Sequence, residues 1–210
     1  MPSSITGSIE SRESHLTAPD RMSTRIARVV SIVAHPFVTT LLLAGTVASR
    51  HGAATAARTV AVVGILFVAP LVALTVWQTR RGAWSTVDAS HPRERPILFA
   101  VGAVGLLALL LYFARTGHET PFFTGTAGTL AMLAFCAAIT PWMKVSLHTA
   151  AASLAAAVLL WERLPLGLLF GAALPLLAWS RVTLGRHRWS ETAVGLIVGA
   201  ATGTVIVHLP

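Results

Sequence analysis

Charged side chains make up only 11% of this 210-residue chain, where ordinary soluble domains carry about 25%. Cysteine is nearly absent: Cys136 stands alone, so no internal disulfide can form and a disulfide-stapled scaffold is excluded. Glycine occurs 16 times without a triplet period, which excludes a collagen-like rod. Disorder needs low hydrophobicity and high charge, and this chain has neither beyond its first residues. No apolar core follows Met1 closely, so a cleaved secretory signal is not expected. What the chain does have is 54% hydrophobic residues and a mean hydropathy of +0.71. That balance indicates a polytopic membrane protein. A net charge of +8 would suggest nucleic acid in a soluble protein; in a membrane protein the positions of the cations carry the information, and no nucleic-acid partner is expected.

A spanning helix needs about 20 largely apolar residues to cross a hydrocarbon core of ~30 Å. Seven charge-free runs qualify as candidates: Val29–Ser49, Thr59–Trp77, Ile97–Ala114, Pro121–Met143, Val145–Trp161, Leu164–Ser180 and Thr192–Val207. Their continuous apolarity lacks the alternation of a barrel strand, so the expected fold is an all-α helical bundle with six to seven transmembrane helices. Only Glu162 and Arg163 separate the fifth run from the sixth, which reads as a tight helical hairpin. The small residues of Ala150–Ala157 would let helices approach closely. Residues 1–24, rich in serine and mixed charge, read as a mobile polar tail, and 25–210 as a single transmembrane domain. The six tryptophans (Trp77, Trp84, Trp142, Trp161, Trp179 and Trp189) lie near run ends, as interfacial anchors do.

Lysine and arginine in the connections set orientation. One side collects Arg12, Arg21, Arg25, Arg28, Arg80, Arg81, Arg93, Arg95, Lys144, Arg181, Arg186 and Arg188; the other holds Arg50, Arg58, Arg115 and Arg163. Twelve against four predicts a cytoplasmic basic side in a multi-pass protein of the cell membrane.

That side also carries the unusual chemistry. Asp88-Ala-Ser-His-Pro-Arg-Glu-Arg-Pro96, Lys144-Val-Ser-Leu-His-Thr149 and Ser180-Arg-Val-Thr-Leu-Gly-Arg-His187-Arg-Trp-Ser-Glu191 are each separated by two spans, so all three fall on one membrane face. His187 and Glu191 are four apart at a helix start and can meet. A carboxylate on one ring nitrogen fixes the tautomer and makes the other a better nucleophile. His148 could serve as a separate proton donor. Arg95 and Arg181, with Lys144, offer donors to a multiply charged oxyanion, and Ser146 could add a neutral one. A histidine nucleophile, a histidine acid and a ring of cations describe phosphoryl transfer through a phosphohistidine.

These residues resemble the type 2 phosphatidic acid phosphatase superfamily, membrane lipid phosphatases related to the vanadium haloperoxidases. Ser180-Arg181, five residues, His187 and Glu191 resemble its third motif; Lys144-Val-Ser146-Leu-His148-Thr resembles the second, usually Pro-Ser-Gly-His. Arg95-Pro96 resembles the end of the first, usually Lys, six residues, then Arg-Pro. The resemblance implies that His187 is the nucleophile with Glu191 as its partner and that His148 protonates the leaving oxygen. It implies that Arg95, Ser146 and Arg181 bind the phosphoryl group, with no metal and no cofactor. Three positions depart from the pattern: Asp88 stands for the first-motif lysine, Leu147 for glycine and Glu191 for aspartate. Arg93 or Lys144 could compensate for Asp88. The implied substrate is a lipid phosphate or a polyprenyl (di)phosphate.

The other features read more plainly. His35, His51, His118 and His208 read as interfacial, without a catalytic role, and His91 as structural; Arg80, Arg81, Arg186 and Arg188 read as topology signals and Cys136 as packing. Two rivals use the same cationic cleft: a non-enzymatic lipid- or anion-binding transporter, which has no need for His187 paired with Glu191, and a degenerate family member without turnover, for which Asp88 argues.

Overall fold

A computed structural model describes residues 18–84, 86, 91–116 and 120–209. Among these the chain is helical, with no strand: α1 Ala18–Val33, α2 Pro36–Ala48, α3 Ala53–Val63, α4 Ala69–Arg80, α5 Arg95–Thr116, α6 Thr120–Ile139, α7 Leu147–Glu162, α8 Leu164–Thr183 and α9 Trp189–His208. A π-helical turn at Gly64–Val68 joins α3 to α4, so Ala53–Arg80 is one continuous apolar helix. With α5, α6, α8 and α9 it makes five helices long and apolar enough to cross a membrane. Ile65, Val104, Leu107, Leu169 and Ile197 are all more than half exposed. An apolar exterior of that kind suits lipid and is shed in water.

The bounds of the expected spans change in two places. The first run is not one straight helix: α1 and α2 meet at a break and are bent by 42°, and together they form a sixth candidate span. Pro36 is the cause, since proline drives the residue before it out of the helical region, and His35 lies extended at φ −63°, ψ 139°. The fifth run becomes α7, whose 16 residues reach about 24 Å at 1.5 Å per residue. Helix α7 falls short of a lipid-facing span and is instead the bundle's centre, buried from His148 to Leu159 on most of its surface. Helix α1 starts at Ala18, inside the stretch expected to be tail; the rest of that expectation lies outside the described residues, as do Asp88 and His118.

Glycine makes the central packing possible. A Cβ at Gly199 would overlap the Ala150 backbone, and one at Gly203 would lie 2.8 Å from the Leu154 carbonyl oxygen. Gly195, Gly199 and Gly203 therefore form a stripe that lays α9 directly on the alanine-rich face of α7, the close approach that small residues permit in membranes. At the end of α7 away from Ser146, Glu162 pairs with Arg50, and an apolar cavity of about 240 Å³ opens among Thr40, Val63, Leu109, Phe113, Phe122 and Val158. Four tryptophans are exposed at helix ends, whereas Trp84 is only 6% exposed and packs inward rather than at the interface.

Candidate active site

Three connections meet at the opposite end of α7. Ser146 caps α7, its Oγ accepting the Thr149 N–H at 3.5 Å. Its own N–H donates to the Glu191 carbonyl at 3.2 Å, which ties the start of α7 to the first turn of α9. Thr149 strengthens that tie by donating to the Thr192 carbonyl at 3.1 Å. Arg95, at the start of α5, is 3% exposed and donates from Nη1 to the Val145 carbonyl at 2.8 Å. The turn after α8 depends on Gly185, whose φ of 64° suits glycine. It lets the Arg186 and His187 N–H groups both return to the Arg181 carbonyl, at 3.0 and 3.2 Å. Arg181 and His187 are thus bound to one another through the backbone.

The His187 ring sits 4% exposed. Its Nδ1 lies 2.9 Å from Glu191 Oε2 and 3.2 Å from the Lys144 carbonyl. Both neighbours can only accept, so Nδ1 carries the hydrogen and Nε2 carries the lone pair. Burial pushes the imidazole down from 6.5 to about 3, assisted by the positive charges of Arg181, Arg95 and Lys144 and opposed by the bond to the Lys144 carbonyl. His187 is therefore a neutral imidazole with a defined bare nitrogen, surrounded by cations. Glu191 is held in turn by the Arg188 N–H at 3.1 Å. Lys144 donates from Nζ to the Arg186 carbonyl at 2.7 Å, and burial lowers its ammonium, with the Glu191 carboxylate acting against that.

His148 lies on the first turn of α7, 6% exposed. Arg181 Nη1 is 3.5 Å from its Nε2; a guanidinium only donates, so Nε2 accepts and the neutral ring holds its hydrogen on Nδ1. Arg181 is 1% exposed, and the same Nη1 donates to Ser31 Oγ at 2.6 Å. Arg95 Nε is buried with no hydrogen-bond partner among the described residues, which leaves one donor for a ligand. All seven residues picked from the sequence thus fall at this end of the bundle, although Ser146 spends its oxygen on a helix cap. Arg93 is exposed, unlike the buried Arg95 and Arg181.

Two residues missed by sequence reasoning also lie here. Ser31 holds Arg181, and the His35 ring stands 4.9 Å from the His148 ring at 79°. The signal available was Pro36, which breaks the first apolar run one residue after His35. Among the described residues, no group of three or more His, Cys, Asp or Glu is gathered closely enough to hold a metal ion. In comparisons with protein-family models, with curated proteins and with solved structures, nothing matches this chain.

Proposed function

We propose that the protein is an integral membrane phosphatase that hydrolyses a lipid phosphate or polyprenyl (di)phosphate through a phosphohistidine, as its resemblance to the type 2 phosphatidic acid phosphatases implies. The observation that carries this reading is the clamped His187 ring, neutral, with Nε2 bare and three cations around it. A structural histidine has no use for a fixed lone pair in a cationic pocket. A nucleophile attacking a phosphoryl dianion needs both.

In the proposed reaction Nε2 attacks phosphorus and the P–O bond to the lipid breaks. Once Arg181 has turned to the phosphate, His148 takes up a proton from solvent on Nε2 and gives it to the departing oxygen, returning to the neutral ring. Arg95, Arg181 and Lys144 meet the charge spread over the phosphoryl oxygens, the usual source of stabilisation in phosphoryl transfer. As Arg181 turns its N–H groups to the phosphate, it releases His148 Nε2. Water then attacks the phosphohistidine with His148 as base, the P–N bond breaks, and inorganic phosphate leaves. Glu191 holds the Nδ1 hydrogen throughout and offsets the positive charge on the ring.

A phosphate at the headgroup plane with its tail in lipid suits a site at the end of a membrane bundle. The reading puts that end in the cytoplasm, on the twelve-to-four distribution of cations. Impermeant thiol labelling of intact cells should therefore miss Arg93→Cys and mark Arg163→Cys; the reverse pattern inverts the topology. Phosphate release from a short-chain lipid phosphate in detergent, without added metal, is the direct test. A transporter or a degenerate relative releases none.

A further inference from the structure

The break between α1 and α2 places two side chains, four residues apart, against the acid half of the site. Ser31 accepts from Arg181 Nη1, and the other hydrogen of that nitrogen faces His148 Nε2. His35 Nδ1 accepts the Phe37 N–H at 3.3 Å, so the His35 ring is neutral while it caps α2. It lies between Phe37, at 4.4 Å between centroids, and His148, at 4.9 Å and nearly edge to face. Capping alone is served better by Ser, Thr, Asp or Asn. What imidazole adds is a flat ring, and that ring is spent on His148.

We propose that His35 is a positioning residue for the leaving-group proton, acting through His148, with Ser31 holding Arg181 alongside; the inference rests on the phosphatase reading. Pro36 connects it to the chain's own logic, because the proline that breaks the helix also sets His35 in the extended geometry that aims its ring.

The test uses two variants of the full chain and two substrates. His35→Asn keeps an acceptor for the Phe37 N–H and removes the ring; His35→Phe keeps a ring and removes the acceptor. An alkyl lipid phosphate needs its leaving oxygen protonated, and p-nitrophenyl phosphate does not. General acids contribute about 10²–10⁴-fold, so loss of positioning should lower kcat of His35→Asn on the alkyl ester by about tenfold. The p-nitrophenol burst, which reports attack by His187 alone and needs no proton from His148, should hold within about twofold, and a His148→Ala background should erase the difference. His35→Phe should lose less than His35→Asn on the alkyl ester. Equal losses of alkyl turnover and of the burst, or undiminished alkyl turnover, overturn the inference. If the unaltered protein hydrolyses neither ester, the phosphatase reading itself has failed. The imidazole ¹⁵N signals then still report the arm: His148 moves and His187 stays in His35→Asn, whereas an unmoved His148 overturns the coupling as well.

Discussion

The two histidines of the site are held by different kinds of contact. His187 is fixed from close by in sequence, by Glu191 four residues on and by a turn returning to the Arg181 carbonyl, with one remote contribution from the Lys144 carbonyl. His148 is fixed from far away, by Arg181 33 residues on and by His35 from the other end of the chain. Short-range clamping gives His187 a defined tautomer that survives small shifts between helices. The His148 arm depends on how α1, α2 and α8 seat against α7, and so it is the half that packing changes should disturb first.

The largest effect expected on this contrast comes from His187→Ala, which should abolish turnover and remove the acid-labile, base-stable phosphoprotein label while the unfolding midpoint in detergent holds. Undiminished activity in that variant would end the phosphohistidine mechanism. Glu191→Gln keeps an acceptor for the Nδ1 hydrogen and deletes the charge, so it should slow turnover without abolishing it.

Arg95→Ala ranks next. Removing one charged donor costs about 1.5–3 kcal/mol, which is a roughly ten- to hundredfold loss of kcat/KM. Asp88→Lys should leave activity standing, because a carboxylate beside a phosphate dianion is repelled. A silent Arg95→Ala together with a dead Asp88→Ala means that Arg95 does not bind the phosphoryl group and that the Asp88 carboxylate has a role of its own.

The packing that seats the His148 arm is exposed by Gly199→Val. The added side chain meets the Ala150 backbone, and overfilling of this kind costs about 1–3 kcal/mol. The unfolding midpoint should fall, with alkyl ester turnover declining before the His187 label is lost. A midpoint equal to that of the unaltered protein would show that α7 and α9 are not in close contact.

The smallest effect is on pH dependence. The His187 ring is depressed in the fold, to about 3 from 6.5. Between those values the unfolded chain binds the proton that the folded one refuses, so stability falls as pH drops below 6.5. The slope is at most about 1.4 kcal/mol per pH unit for one group. His187→Gln should flatten the loss of midpoint between pH 6.5 and 4. An unchanged slope would assign the acid sensitivity to other groups.

Much of this molecule is written in local pattern. Apolar run length and scarce charge determined that it is helical and suited to a membrane, because each backbone group in lipid must be satisfied within its own helix. The spacing of His187 and Glu191 determined their contact, since four residues bring side chains together without help from elsewhere. The order of the three polar blocks determined that they share one end of the bundle. Only the tertiary structure decided that 16-residue α7 is the buried centre and that Trp84 turns inward. The glycine stripe of α9 was present in the sequence, but its partner, the Ala150–Leu154 backbone, is set by crossing geometry that no periodicity records. The same holds for His35 and Ser31. Their roles come from where a proline-bent pair of helices meets α7 and α8, and that juxtaposition depends on the packing of the whole bundle rather than on the residues beside them in the chain.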